Sequence, residues 1–390
     1  MNMMANGSTK LGDEVQLDDL LGAVKAGAHQ DLEHSETLPP MAYVSEDFFN
    51  MEVERVFKPG WVCVGHVSQV PEEGSYFTLD LFGEMLVIVR AADGIRAMSR
   101  ICLHRWAPIA EGCGKTKLFS CPFHKWGFAL DGRLLGAPLM EGVQFDVEGR
   151  QLPQVRTEVL EGFIFVNFSG DAAPVGQAFT GFAERIGKFK IGELVLAGEL
   201  SYECDFNWKI MMETFMECYH HIAAHPSTFE ASFPARLSYI EDDRKTWTMG
   251  ASPARDSVPD DKIRVGLPLL SDDLTTEESR AFFLYQAFPS HLVSIWPDRV
   301  YMFRCQPRSA GRTSLQTYVF VRPEARELPN FAEIMKQEMD FFVTVNAEDI
   351  AVNEMQQKGA ATSTAQVGRL SHLEKAVWQL ADYIRDRMDA

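Results

Sequence analysis

The chain has 390 residues, of which 46% are hydrophobic and 24% charged, and its formal net charge is −18. This length predicts two domains, since single domains usually contain about 100–200 residues. The acidic balance argues against nucleic-acid binding, which requires a basic face, and no uninterrupted apolar run is long enough for a transmembrane helix.

Residues 1–40 are polar and acid-rich, and we expect a lead-in that packs on or near the second domain, with one short helix around residues 17–28. They lack the basic start, apolar stretch and cleavage site of a secretory signal, which predicts a cytoplasmic protein. Seven cysteines in such a compartment indicate metal binding or buried apolar positions rather than disulfides.

Residues 41–170 predict a small β-sandwich. An amphipathic stretch at 44–57 precedes short β-type runs that are separated by glycine-containing turns, as in hairpins. Short strands at regular spacing are typical of a sandwich. The predicted strands are 76–81, 85–89, 96–98, 127–130 and 162–167.

Residues 171–390 predict a second domain of mixed composition. A strand at 194–206 precedes an apolar helix at 208–220, and 234–280 reads as a variable loop region. Two long helices close the chain, at 331–358 and 372–388. Three further strands are predicted between the loop region and these helices, at 292–296, 300–306 and 313–321.

A first group of metal-ligand residues lies inside the predicted sandwich. Cys102 and His104 form one arm, Cys121 and His124 form the other, and sixteen residues separate the arms. Two cysteines and two histidines could hold a zinc ion or a two-iron cluster. Zinc ribbons usually place two cysteines in one arm, whereas each arm here has one cysteine and one histidine. That mixture favours a [2Fe–2S] cluster with two thiolates on one iron and two imidazoles on the other.

A second group follows in the second domain, with the spacing Glu217-x-x-His220-x-x-x-x-His225. On a helix Glu217 and His220 share a face, but residues five apart diverge by about 140°. His220 and His225 can therefore reach one ion only if the helix ends or distorts between them, and Pro226 favours that break. His221 is expected to point elsewhere. Two histidines with one carboxylate would leave open positions on Fe(II) for O₂.

With these motifs the chain resembles the Rieske non-heme iron oxygenases, specifically the terminal oxygenase α-subunit of the aromatic-ring-hydroxylating family. The family pattern is Cys-x-His, a spacer and Cys-x-x-His, and segments 207–226 and 346–359 also match. Respiratory Rieske proteins carry an extra cysteine in each arm, where this chain has Ala107 and Phe123. The chain departs from the oxygenases at Trp106 and Lys125, where they often have glycine, which would alter a partner-docking or subunit-contact surface.

The resemblance implies a third iron ligand on the long C-terminal helix. Asp349 is the predicted ligand, and Glu348 is the alternative. Glu217 can fix the tautomer of a ligand histidine by accepting its second ring N–H. The resemblance further implies that Glu217 carries electrons from His124 of a neighbouring subunit to His220, and hence a ring-shaped homotrimer.

The implied fold is α+β: a Rieske β-sandwich domain at 41–170 and a catalytic domain at 171–390, whose antiparallel sheet wraps the long C-terminal helix. Electrons from NAD(P)H would arrive through a flavin reductase, a ferredoxin or both. The predicted reaction is mono-oxygenation of a hydrophobic, aromatic small molecule, including oxidative N- or O-dealkylation. The alternatives are a cis-dihydroxylating ring dioxygenase and a quaternary-amine mono-oxygenase.

Apolar residues at 282–285 and 292–296 predict an apolar substrate pocket. Two other classes of protein are also compatible with the sequence. A pure electron carrier would leave His220, His225 and Asp349 without a metal, and a zinc-stabilised binding protein would contain no iron.

Overall fold

The computed structural model describes residues 17–27, 31–241 and 245–389. A β-rich region follows the first helix and precedes a second region built on a large antiparallel sheet. Within these ranges no helix combines the length and apolar character needed to cross a membrane. The expected α+β fold is confirmed.

The β-rich region contains two antiparallel sheets. Its strands are β1 Val62–His66, β2 Ser75–Leu81, β3 Glu84–Ala91, β4 Gly94–Ser99, β5 Cys113–Lys115, β6 Phe119–Ser120, β7 Gly127–Phe128, β8 Leu134–Gly136, β9 Gln154–Leu160 and β10 Phe163–Asn167. Among the described residues the larger sheet has the order β1-β10-β9-β4-β3-β2-β5, and the smaller has the order β6-β7-β8. The predicted strands are confirmed, although β7 is shorter than the predicted 127–130.

The second region contains strands β11 Val195–Cys204, β12 Tyr239–Ile240, β13 Trp247–Pro253, β14 Ala281–Ala287, β15 His291–Ile295, β16 Val300–Ser309 and β17 Arg312–Val321. They form one antiparallel sheet with the order β11-β17-β16-β15-β14-β13-β12. The prediction that 234–280 is loop is therefore wrong at β12 and β13. Small and polar residues alternate with large ones along β13, which hides the strand in a polar stretch.

The α-helices of the described residues are α1 Leu17–Ala26, α2 Glu46–Glu52, α3 Val175–Ala178, α4 Phe182–Ile186, α5 Trp208–Met216, α6 His221–Ala224, α7 Thr276–Ser279, α8 Phe331–Ala360 and α9 Lys375–Asp389. The π-helical turn Val53–Phe57 continues α2, and the 3₁₀ turn His372–Glu374 precedes α9. The two predicted C-terminal helices are confirmed. The helix predicted at 208–220 ends earlier, at Met216.

The sheet of the second region, formed by β11 to β17, is buried on both of its faces. Met302 points to the face that packs on Phe163 and Phe165 of β10, and its neighbour Phe303 points to the opposite face, which packs on α5 and α8. Alternation with a period of two places successive residues on opposite faces of a strand. The sheet thus lies between the first region and the long helix α8.

A buried ion pair ties α5 to α2. Asn207 caps α5 by accepting the amide hydrogen of Lys209 at 3.0 Å. The Lys209 ammonium then contacts Glu52 Oε1 at 2.6 Å, and Trp208 Nε1 donates to Glu52 Oε2 at 3.0 Å. Because both charges are fully buried, loss of one partner would leave an uncompensated charge in the core. This pair fixes the start of the helix that leads to the second metal-ligand group.

Candidate metal centres and active site

The two arms of the first group adopt the same tight loop. The amide of Trp106 donates to the carbonyl of Cys102 at 3.1 Å, and the amide of Lys125 donates to the carbonyl of Cys121 at 3.0 Å. The φ angles of Trp106 and Lys125 are +60° and +61°, a region that costs an L-residue roughly 1–2 kcal/mol. This backbone conformation explains why glycine is common at both positions in the resembled family.

The two loops bring the predicted cluster ligands together in pairs, histidine with histidine and cysteine with cysteine. His104 Nδ1 and His124 Nδ1 lie 3.2 Å apart, and both thiols, of Cys102 and Cys121, are buried and free of disulfides. Burial raises the pKa of the Cys102 thiol, and a side-chain hydrogen bond with Cys121 raises it further. Two adjacent thiols and two neighbouring imidazoles are the donor set that a Rieske-type [2Fe–2S] cluster requires.

A tryptophan supports one of the cluster histidines. Trp126 is buried, and its ring stacks on that of His104 with a centroid distance of 4.8 Å and an interplanar angle of 6°. The stack restricts the rotation of the His104 imidazole. On the other side, Phe123 lies against His124 at 3.9 Å between centroids and is 55% exposed.

The second group forms a compact set of ligands. His225 Nε2 lies 2.8 Å from Asp349 Oδ1, and His220 Nε2 lies 3.4 Å from the same oxygen. One donor atom from each of these residues lies within 4.8 Å of the other two, as a shared metal ion requires. Two imidazoles and one carboxylate fit a mononuclear Fe(II) site with open positions.

The chain reaches this geometry by a break in the helix. Glu217 is extended, with φ −113° and ψ 137°, so α5 does not continue to His220 as the face-sharing prediction assumed. The reason is local, because Glu217 Oε2 accepts the His220 amide hydrogen at 3.0 Å and so ends the helical pattern. The one-turn helix α6 then runs from His221 to Ala224 and ends before His225, whose φ of −120° and ψ of 44° are not helical, so the predicted helix end is confirmed.

Each ligand histidine has a carboxylate behind it. The Nδ1–H of His220 donates to Glu217 Oε1 at 2.8 Å, and the Nδ1–H of His225 donates to Glu348 Oε2 at 2.7 Å. Thr228 Oγ1 also donates to Glu348 Oε2, at 2.8 Å. These contacts leave the Nε2 atoms facing the centre. The structure thus brings Asp349 close to both Nε2 atoms, whereas the alternative Glu348 contacts Nδ1 of His225.

The acids around the centre favour positive charge there. Burial lowers the pKa of His220, but hydrogen bonds with Asp349 and Glu217 outweigh burial and raise it to about 10. Burial likewise lowers the pKa of His225, and hydrogen bonds with Asp349 and Glu348 reverse that effect. A divalent cation would satisfy the same carboxylates, and the imidazoles must be neutral to bind it.

Replacement of Glu348 by glutamine is expected to weaken Fe(II) binding at the second group by about 10–100-fold, because the acid that orients His225 is lost. Anaerobic titration of the iron-depleted second group with Fe(II) measures this dissociation constant. Glu354→Gln is the matched control, since Glu354 lies on the same helix and its carboxylate pairs with Lys358 at 3.8 Å. An unchanged constant for Glu348→Gln would show that Glu348 does not position the ligand.

A cavity opens directly onto these ligands. Its walls are mainly aromatic and aliphatic side chains, and its space amounts to roughly 520 Å³ when the part that is open to solvent is included. Its lining residues are Met211, Thr214, Phe215, His220, His221, His225, Phe229, Phe282, Leu284, Ser294, Trp296, Phe303, Phe342, Val345, Asn346 and Asp349. The expected apolar pocket is present, but Phe283 and Tyr285 point to the other face of β14.

Several residues that line the cavity were not predicted from the sequence. Phe229 is central, with its ring 5.3 Å from that of His225 and 5.5 Å from that of Phe282. Phe229 follows His225 by four residues, and its amide donates to the His225 carbonyl at 3.1 Å, as in a helical turn. This spacing could have identified Phe229 as a neighbour of His225. Phe342 and Asn346 lie on α8 before Asp349, and a helical period projected backward from Asp349 would have found them.

Two further histidines have different surroundings. His221 lines the cavity, where its ring stacks on Phe229 and its Nδ1 lies 3.3 Å from the Phe233 carbonyl oxygen. Burial lowers the pKa of His221 to about 3. His291 lies outside the cavity against the rings of Phe163 and Phe165. Neither histidine joins the ligand set.

Comparisons with known proteins agree with this geometry. A family model described as the catalytic domain of the ring-hydroxylating alpha subunit matches residues 191–390, which is more than half of the chain. A model of the Rieske [2Fe–2S] domain matches residues 60–152.

Curated relatives and a solved structure are similar to the chain. The carnitine monooxygenase oxygenase subunit of Acinetobacter baumannii is 34% identical over 57% of this chain, which spans only 60% of that relative. Putrescine 2-hydroxylase of Ralstonia nicotianae is 35% identical over 55% of each protein. A solved quaternary ammonium Rieske monooxygenase has a TM-score of 0.80 and 26% identity, with 92% of this chain and 96% of that chain covered.

Proposed function

Because the chain belongs to the ring-hydroxylating oxygenase alpha-subunit family and carries a Rieske [2Fe–2S] domain, we propose that it is a terminal oxygenase that inserts one oxygen atom into a small organic molecule. The observation that carries the proposal is the cavity, whose walls include His220, His225 and Asp349. A substrate there lies beside the ligand set, whereas a pure electron carrier needs no such cavity.

Two cofactors fit the residues described above. Cys102, His104, Cys121 and His124 would hold the [2Fe–2S] cluster, and the two histidines and Asp349 of the second group would hold Fe(II). When bound, the cluster supplies single electrons, and the ferrous ion keeps open positions for O₂.

The side chains of this chain position the substrate and the ligands. Glu217 and Glu348 hold the Nδ1 protons of the two ligand imidazoles, so that the tautomers are fixed. Phe229 and Phe282 cover one side of the cavity and limit the access of water to the reacting group. In the overall reaction one atom of O₂ enters a C–H bond and the other becomes water, with two electrons and two protons taken up.

The electrons would come from NAD(P)H through a flavin reductase, a ferredoxin or both, and we place the enzyme in the cytoplasm, where NAD(P)H is available. We also propose a homotrimer in which His124 of one subunit faces Glu217 of the next. Apolar side chains near both ends of this route support a protein contact, since Trp106 is 78% exposed and Ile222 is 56% exposed. The solved quaternary ammonium Rieske monooxygenase is described in terms of inter-subunit electron transfer.

Two substrate classes are favoured by different observations. The aromatic walls of the cavity favour a hydrophobic or aromatic molecule, including one that loses an N- or O-alkyl group. The relatives, which are named for carnitine and putrescine, favour an amine, and aromatic ring faces also bind ammonium groups. Ring cis-dihydroxylation, which inserts both oxygen atoms, is the third candidate, and labelled O₂ distinguishes it by counting the atoms in the product.

Metal analysis of the purified, reconstituted chain tests the oxygenase class. We expect about three irons and about two acid-labile sulfides per chain, because the cluster contributes two irons and the second group one. An electron carrier would give about two irons and two sulfides, and a zinc-stabilised protein would give neither. Either of these results would contradict the proposal.

A further inference from the structure

The cavity has an uneven distribution of charge. None of the described residues that line it is a lysine or an arginine, and the acidic residue among them is Asp349. Glu217 and Glu348 stand directly behind the two ligand imidazoles. These three carboxylates exceed the charge of one ferrous ion by one, so the iron end of the cavity retains a formal negative charge.

A buried arginine behind the cavity wall does not change this balance. The Arg299 guanidinium lies 4.3 Å from the centroid of the Trp296 ring. Its Nη1 contacts Asp298 at 2.6 Å and its Nε contacts Glu338 at 2.7 Å, so two carboxylates surround one cation. Tyr301 also donates its hydroxyl to Glu338. Because these partners occupy the guanidinium, it is not available to pair with a carboxylate in the cavity.

Apart from Asp349 and the histidines, the polar side chains of the cavity wall are uncharged, and each already has a partner. Thr214 donates to Asn353 at 2.7 Å, and Ser294 accepts the indole N–H of Trp296 at 3.1 Å. Asn346 contacts the Tyr202 hydroxyl at 3.4 Å. A carboxylate that entered this cavity would lose its hydration and meet no lysine or arginine among the described lining residues, which is unfavourable.

We propose that the substrate is a small alkylamine that carries no carboxylate group. This inference rests on the proposed oxygenase function and specifies its substrate class. The ring faces of Phe215, Phe229, Phe282, Phe303 and Phe342 would surround the ammonium or its alkyl groups. The net negative charge near the ligands attracts a cation and repels an anion. In this respect the cavity suits a diamine or a simple alkylammonium better than a zwitterion such as carnitine.

The reaction on such a substrate is balanced by the electron supply already proposed. Hydroxylation of a C–H bond converts that carbon to C–OH, while the second oxygen atom becomes water with two electrons from NAD(P)H and two protons. If the carbon adjoins nitrogen, the product is a carbinolamine, whose C–N bond breaks to release an aldehyde and the shorter amine. A C–H bond farther from nitrogen yields a stable amino alcohol.

Matched pairs of ligands test the inference on the unmodified holoenzyme. Each pair differs by a carboxylate alone: γ-butyrobetaine with trimethylpropylammonium, glycine betaine with tetramethylammonium, and ornithine with putrescine. Calorimetric titration under nitrogen measures binding without turnover. We expect the carboxylate-free member of at least one pair to bind at least tenfold more tightly. Equal or tighter binding of the carboxylated member in every pair that binds would overturn the inference.

A charge-adding variant gives an independent measurement. Leu284 lines the cavity and is buried, and Leu284→Lys should reduce or reverse the preference for the carboxylate-free member, whereas the volume-matched Leu284→Met should retain it. Because the wild-type pairs need no variant, a folding defect in Leu284→Lys does not affect the test. If the loaded enzyme binds no amine yet oxidises an aromatic hydrocarbon, the substrate inference fails and the oxygenase proposal stands. If the chain binds no iron, the oxygenase proposal itself fails.

Discussion

Replacement of Asp349 by alanine is expected to empty the mononuclear site while the Rieske cluster stays in place. Asp349 Oδ1 lies close to Nε2 of both His225 and His220, at 2.8 Å and 3.4 Å. Burial raises the pKa of this carboxyl, but hydrogen bonds from His220 and His225 hold it well below its usual range. Without this anion, two imidazoles alone would face the metal, and we expect turnover to fall at least about a thousandfold, or ~4 kcal/mol.

The measurement is iron and sulfide content together with the visible spectrum of the cluster. Asp349→Ala should contain about two irons and two sulfides per chain instead of about three and two. Asp340→Ala is the matched control, because Asp340 lies on the same helix with an exposed side chain that pairs only with Lys336. An Asp349→Ala protein with three irons and full activity would remove Asp349 from the ligand set.

Candidate ligand residues could be proposed from the sequence because metal chemistry restricts their spacing. Cys102 with His104, and Cys121 with His124, occupy loops that are closed by backbone hydrogen bonds between residues four apart. Donor types and spacing therefore carried enough information to identify both arms. The same holds for His220 and His225, since a carboxylate and two imidazoles in one segment have few alternative uses.

The choice between neighbouring acids required the structure. Glu348 and Asp349 are consecutive on α8, so their side chains leave the helix about 100° apart. Sequence alone does not give the rotation of α8 about its axis, which is determined by packing against α5 and the sheet. The structure shows that Asp349 meets the Nε2 atoms and that Glu348 reaches the Nδ1 atom of His225 from behind.

The cavity was predictable only in part, for a similar reason. The sequence of β14 correctly predicts an apolar segment, but it does not show which alternate residues face α8. In the structure these residues are Phe282 and Leu284, which line the cavity. Phe229 and Phe303 reach the same cavity from elements far apart in sequence. The end of α5 at Met216 was missed because a side-chain cap, formed by Glu217, overrides the apolar helical pattern.

Replacement of Glu217 by glutamine is expected to leave both metal centres filled and to reduce turnover at least about a hundredfold, or ~2.7 kcal/mol. Glutamine has nearly the same shape and can still accept one hydrogen bond from His220. It lacks the negative charge that the proposed route uses to connect His220, which lies 2.8 Å from Glu217, with His124 of another subunit. Metal content, cluster reduction by the reductase and product formation are measured on the same sample.

Mixed oligomers identify the subunit in which Glu217 acts. Chains with Cys121→Ser should lack the cluster, and chains with Asp349→Ala should lack the mononuclear iron, so we expect neither homo-oligomer to turn over. Two affinity tags allow assembled mixtures of the two chains to be purified, and transfer between subunits should restore activity in them. Transfer within one chain would leave the mixture inactive.

The position of a third substitution then decides the role of Glu217. Glu217→Gln on the Cys121→Ser chain removes the acid beside the iron-bearing His220 and should abolish the restored activity. The same substitution on the Asp349→Ala chain lies beside an empty site, and activity should persist. Loss of activity in both arrangements would indicate that Glu217 supports assembly, and retention in both would exclude it from the electron route. Only the unequal outcome follows from an acid that joins the cluster of one subunit to the iron of the next.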